Sequence, residues 1–171
     1  MNITRITAQE LLDSRGLPTV EATVYLAGNL KASAMVPSGA STGKLEALEM
    51  RDDDPDRYHG KGVLHAVRNV TDTIAPALIG LDVTDQEAID RRMIELDGTD
   101  NKSGLGANAI LAVSIACLRA GALVRQVPFF EYTAEAFGKA TNEPFLMPIP
   151  LINVLNGGKH AIGSSDFQEY M

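Results

Sequence analysis

The stretch Gly106 to Val127 constrains this chain more than any other, because it is apolar on nearly every side of a helix. An ordinary surface helix carries one apolar stripe, and a helix apolar all round needs neighbours all round. The segment is therefore expected to be the central helix of a domain. Asn108, Ser114 and Arg119 interrupt its most apolar part, Leu105 to Val124, and alanines are frequent. That pattern favours a buried helix over a membrane span. Cys117 lies inside it and is the chain's single cysteine. It reads as a small buried hydrophobe rather than a nucleophile, it excludes an internal disulfide, and it fits a reducing compartment. With 171 residues, the chain can form one domain with a core, or one domain plus a piece of another.

Other segments must wrap that helix. Thr19 to Val36 reads as a β-hairpin. Val20, Ala22, Val24 and Leu26 alternate with polar residues, Gly28-Asn29 supplies the turn, and Leu30, Ala32, Ala34 and Val36 return. Ile3 to Gln9 is expected to add a strand, with Asp13-Ser14-Arg15-Gly16 as the turn. Val63, Ala66, Val67, Val70 and Ile74 recur at helical spacing within Gly62 to Leu78. Thr84-Asp85-Gln86-Glu87 matches a capping box, with Ile89, Met93 and Leu96 as the buried stripe behind it. Asp97-Gly98 ends that helix. Pro128 can start a last helix at its first position, with Phe130, Ala134 and Phe137 facing inward and Gly138 ending it. These elements make one α+β domain over residues 1–138. Residues 139–171 are a polar link and the opening of something else, in which Met147 to Leu155 is a buried-strand candidate.

Chemistry concentrates in two glycine-bearing stretches. Pro37-Ser38-Gly39-Ala40-Ser41-Thr42-Gly43 can offer backbone groups and hydroxyls to a phosphate or a hard metal ion, or can be an ordinary connection. It is not a phosphate-binding P-loop, because three residues rather than four separate its glycines and Leu45 follows Lys44. A nucleotide-binding reading is disfavoured accordingly. Lys44 to Met50 follows as a short segment for which a helix is one option. Arg51 to Tyr58 reads as a solvated acidic loop. In the second stretch, Asn156-Gly157-Gly158-Lys159-His160, the histidine can bind an anion or move a proton, and Gln168-Glu169 can face it if the chain turns back. A structural histidine after a Gly-Gly turn is the competing reading. His65 lies off its helix's apolar stripe and reads as a surface residue. The net charge of −7 argues against a nucleic-acid partner.

Taken together, these stretches resemble enolase (phosphopyruvate hydratase). The likeness is carried by Asp13 to Gly16 with Pro18 to Glu21, by Val36 to Gly43 with Glu46 to Asp52, and by Leu96 to Thr99 with Asn101 to Ser103. It continues through Gly106 to Ser114, Asn153 to Ala161 and Gln168 to Met171. The resemblance implies a three-stranded antiparallel sheet packed on about four helices, followed by the opening strands of a β/α barrel. It implies interconversion of 2-phosphoglycerate and phosphoenolpyruvate with Mg²⁺. Ser41 would ligate a second Mg²⁺ from the mobile active-site loop of Ser38, Gly39, Ala40, Ser41, Thr42 and Gly43. His160, Gln168 and Glu169 would stand at the substrate. Glu21 would lie at the dimer interface of a homo-oligomer.

The chain departs from the family pattern at Leu17, at Ile162-Gly163-Ser164-Ser165 and at its end, Met171. The family's lysine base, its acid/base glutamate and its carboxylate ligands for the first Mg²⁺ match no position here. The 171-residue chain is therefore expected to be inactive by itself, with residues from about Pro144 onward mobile or paired with another copy. The alternative is a non-catalytic interaction module that uses the Asp52 to Asp56 loop. The polar start, without an apolar leader, suggests the cytoplasm.

Overall fold

A computed structural model describes residues 1–38, 43–139 and 144–171. Two compact units emerge, Met1–Ala140 and Thr141–Met171. The first holds a three-stranded antiparallel sheet in the order β1-β2-β3, with β1 Ile3–Leu12, β2 Pro18–Leu26 and β3 Lys31–Met35. At the first turn the Asp13 carboxylate accepts from the backbone N–H of Arg15 (2.8 Å) and Leu17 (2.9 Å). At the second, Gly28 and Asn29 take φ of 71° and 63°, a region that suits these two residue types. Val20, Ala22, Val24 and Leu26 are buried, as their alternation requires. The register sets Ala22 opposite both Ala8 and Ala34. This row of small side chains lets a helix lie close to the sheet.

That helix is α4, Ala107–Arg125, which packs on β2 and β3 with Ala109, Ala112, Val113, Ala116, Cys117 and Ala120 buried. It is long and apolar enough to cross a membrane, but most of its surface is buried within the unit. The helical run 64–78 comprises α1 Leu64–Arg68, a π-helical turn Asn69–Ile74 and α2 Ala75–Leu78. Its expected stripe is inward, with Val63, Ala66, Val70 and Ile74 fully buried. Then come α3 Gln86–Asp97, which packs on α4, and α5 Phe129–Ala136.

Two local expectations need correction. The cap of α3 is Asp85 rather than Thr84: its carboxylate accepts from the Ala88 N–H, while the Thr84 hydroxyl donates to Asp82. In α5 the inward residue is Tyr132, 3% exposed, whereas Phe130 and Phe137 are 59% and 73% exposed. The reason lies on α4, where a side chain at Gly121 would run into the Tyr132 ring. Gly121 leaves the slot that Tyr132 fills, and Leu118 and Ala122 pack beside it.

The second unit corrects another expectation. Met147 to Val154 forms no strand, and Met147, Ile149 and Leu151 are largely exposed. A strand needs partners for its N–H and C=O groups, and Pro148 and Pro150 supply no donor at all. Pairing begins only where Val154 N–H meets the Tyr170 carbonyl at 2.9 Å. It continues as β4 Leu155–Asn156 against β5 Glu169–Tyr170, antiparallel.

Candidate functional site

The hydroxyl-rich loop leaves the end of β3, and its stem is held by side chains distant in sequence. Arg15 donates to the Ser38 carbonyl at 2.6 Å. Arg51 donates to the Ser38 hydroxyl (3.2 Å) and to Glu49 (2.6 Å), and Ser38 Oγ in turn donates to Glu49 (3.2 Å). The other Arg51 nitrogen reaches the carbonyls of Pro18 (2.7 Å) and Lys61 (2.6 Å). One guanidinium thus joins β2, the loop stem and the segment before α1. The planar fork of arginine suits such multiple donation. Gly39, Ala40, Ser41 and Thr42 lie outside the described residues. On the far side, the Gly43 carbonyl accepts from Glu46 N–H at 3.3 Å. Gly43, Val36, Pro37, Leu48 and Leu111 help line a groove of about 680 Å³.

Lys44 to Met50 is not helical; it forms a turn and then continues without regular secondary structure. Its backbone is bonded to distant groups. Leu48 N–H donates to the Asn101 carbonyl (2.7 Å), and the Leu48 carbonyl accepts from Ala107 N–H (2.8 Å). The buried Asn108 amide completes the fixation, accepting from Met50 N–H (3.1 Å) and donating to the Met50 carbonyl (3.0 Å). These bonds take the groups that a helix would pair internally. Asn69, at the start of the π-helical turn, donates to the Leu105 carbonyl at 2.9 Å.

The acidic loop is only partly solvated. Asp53, Asp54 and Asp56 are exposed, but Asp52 turns inward. Its two oxygens accept from the first N–H groups of α1, Leu64 at 2.9 Å and His65 at 2.8 Å. Asp52 therefore caps a helix from twelve residues away, where it also complements the helix dipole. Arg57 bridges Asp52 (3.5 Å) to Glu10, and Glu10 also accepts from Val63 N–H at 2.9 Å. The hydrogen bond from Arg57 leads the causes that hold the Glu10 carboxyl below its ordinary range. Burial opposes ionisation of Asp52, but the N–H groups of His65 and Leu64, with nearby positive charge, outweigh it and lower its pKa. Gly62 leaves room here, since a Cβ would displace the Asp52 carboxylate and the Arg57 guanidinium.

Asp97 plays a matching role in the loop before α4. It accepts from the N–H groups of Thr99 (3.0 Å) and Leu105 (2.7 Å) and from the Thr99 hydroxyl. Gly98, at φ 68°, ends α3 just beyond it. Arg15, Arg51, Asn108 and Asp52 were all missed as positioning residues by sequence reasoning. Only the placing of Arg51 and Asp52 immediately after the loop segment offered a signal.

In the second unit the hairpin brings His160 and Glu169 together, with Nδ1 3.0 Å from Oε1. Gly157 N–H donates to the Gln168 carbonyl at 2.9 Å. Gly158 takes φ 53° directly beneath Gln168. His160 N–H closes back on the Gly157 carbonyl at 3.0 Å. The glycine pair is thus what lets the histidine segment fold against β5.

Residues 3–133 match the enolase N-terminal domain family, and residues 144–171 match the enolase C-terminal TIM barrel domain family. The chain belongs to the enolase family. Its sheet and four helices are the enolase N-terminal domain, and residues 144–171 are the start of the barrel domain. Glu21, the residue expected at an enolase subunit interface, lies on the sheet face away from the buried row and accepts from Gln9 Nε2 at 2.6 Å. With Thr7, Thr23 and Tyr25 it lines a shallow cavity of about 190 Å³.

Proposed function

We propose that this chain provides the loop-bearing part of an enolase site, which converts 2-phosphoglycerate and phosphoenolpyruvate into one another, and that the 171-residue polypeptide alone does not turn over. The observation that carries the reading is the pairing of His160 with Glu169 at 3.0 Å in the segment matched to the barrel domain. The contact orients the imidazole, and a histidine ring so held can hydrogen-bond an anionic substrate. Gln168, immediately before β5, would add an amide donor beside Glu169. Expected inactivity of this polypeptide rests on residues 144–171 matching only the start of the barrel domain.

The serine at position 41 would supply a hydroxyl and a carbonyl, hard oxygen donors of the kind Mg²⁺ takes. One residue cannot complete an octahedral shell, so Ser41 would need ligands from substrate and other segments. Among the described residues no cluster of three or more His, Cys, Asp or Glu is placed for a metal. When bound, the ion would stabilise the negative charge that develops as the α-proton leaves. Arg15, Arg51 and Glu49 fix Ser38, three residues before Ser41 in the sequence.

The test is direct. The purified chain, given 2-phosphoglycerate and Mg²⁺, should form no phosphoenolpyruvate by its ultraviolet absorbance; measurable turnover would overturn the proposal. Millimolar Mg²⁺ without substrate should leave the melting temperature unchanged, and a clear rise would show a complete metal site. Glu21 is assigned to the subunit interface of a cytoplasmic homo-oligomer. In a complete enolase carrying this sequence, Glu21→Lys should shift sedimentation toward the monomer, and an unchanged profile would remove Glu21 from that role.

A further inference from the structure

Asn156 stands out chemically, as the only one of the chain's eight asparagines followed by glycine. In an Asn-Gly pair the backbone nitrogen of glycine can attack the side-chain carbonyl carbon with no Cβ in the way. We propose that Asn156 is a site of spontaneous deamidation, and that the β4–β5 hairpin guards it. The Gly157 nitrogen forms a bond to Asn156 Cγ, the Cγ–Nδ2 bond breaks, and ammonia leaves with the proton lost by Gly157. Water then opens the five-membered imide at either carbonyl, giving aspartate or isoaspartate. No oxidant or cofactor is consumed.

Asn156 is exposed at the end of β4, so its amide is reachable by solvent. Three contacts oppose reaction while the hairpin is closed. The attacking Gly157 nitrogen is engaged through its N–H with the Gln168 carbonyl at 2.9 Å. Asn156 Oδ1 accepts from Asn153 Nδ2 at 2.6 Å. The Asn156 carbonyl accepts from Ser164 Oγ at 3.0 Å. Gly157 is itself wedged against Ser165 and Phe167, which limits backbone rotation. The guard is thin, because each strand is two residues long, and short exposed pairs open locally at little cost.

The product weakens the guard further. Asn156 pairs directly with Glu169, so a carboxylate at 156 faces a like charge across an antiparallel pair, which is destabilising. Isoaspartate also inserts an extra carbon into the backbone just before the tightly fitted Gly157.

Incubation of the full chain at mildly alkaline pH, with and without urea, followed by peptide mass mapping and isoaspartyl-methyltransferase labelling, tests both halves of the proposal. The peptide containing Asn156 should gain the mass of an amide-to-acid conversion first, and several-fold faster in urea. Asn156→Gln should abolish that gain, because ring closure from the longer side chain is slow. Conversion first at another asparagine, no conversion at 156, or equal rates with and without urea would each overturn it.

Discussion

The two units of this chain treat apolar sequence in opposite ways. In the first, Ile89 and Met93 are fully buried beside α4. In the second, the comparably apolar Met147 and Ile149 are 91% and 90% exposed. Backbone groups follow the same division. The first unit closes its turns and helix starts with Asp13, Asp52, Asp85, Asp97 and Asn108. Among the described residues, the second pairs strands only in a short hairpin. Apolar residues supply a driving force, but burial also needs a surface to be buried against.

The largest test of this contrast is truncation. Ile89→Ala or Met93→Ala should cost about 2–5 kcal/mol in urea unfolding. Ile149→Ala should stay within about 0.5 kcal/mol; equal costs would erase the distinction. Next comes Asp97→Ala, which leaves the buried N–H of Leu105 without its acceptor and should cost about 1–3 kcal/mol.

Acid should act on the first unit too. The N–H and hydroxyl of Thr84, with the Met1 ammonium, hold Asp82 down to about 2. Glu10 and Asp52 are lowered as well. A carboxyl whose pKa is lower folded than unfolded binds fewer protons when folded. Its stabilisation is present above the ordinary value and is lost as pH falls through the folded value. For Asp82 that window runs from 3.8 down to about 2. Asp82→Asn should flatten the fall of melting temperature within it, and an unaltered slope would assign the acid sensitivity elsewhere.

Smaller effects sharpen local assignments. Asp85→Ala should cost about 1 kcal/mol as the loss of a helix cap, and Thr84→Ala should cost less; the reverse order would restore Thr84 as the cap. His160→Asn removes a partly exposed polar contact with Glu169, worth about 1 kcal/mol or less. It should disturb β4–β5 amide protection without moving the first unit's melting temperature.

Much of the candidate site was readable as motif but not as geometry. Asn156 to His160 with Gln168-Glu169 pointed to a turn-back, and His160 does meet Glu169. The stem of the loop was legible only in its glycines and hydroxyls. Its restraint by Arg15 and Arg51 joins residues 23 and 13 positions apart from Ser38, and no local pattern encodes that. The acidic run was misread at Asp52 because a charge in sequence carries no direction, while in the fold it turns toward the N-terminus of α1.

The sequence by itself determined the central helix, the alternating sheet and the turns at Asp13 and Gly28. These depend on periodicity and on local backbone preference, which neighbouring residues set. Tertiary structure alone decided the non-helical course of Leu48 to Met50, the inward turn of Asp52, the choice of Tyr132 over Phe130, and the exposure of Met147 to Val154. Each depends on whether a distant segment offers a hydrogen-bond partner, a slot or a covering surface, and that is known only once the chain has folded.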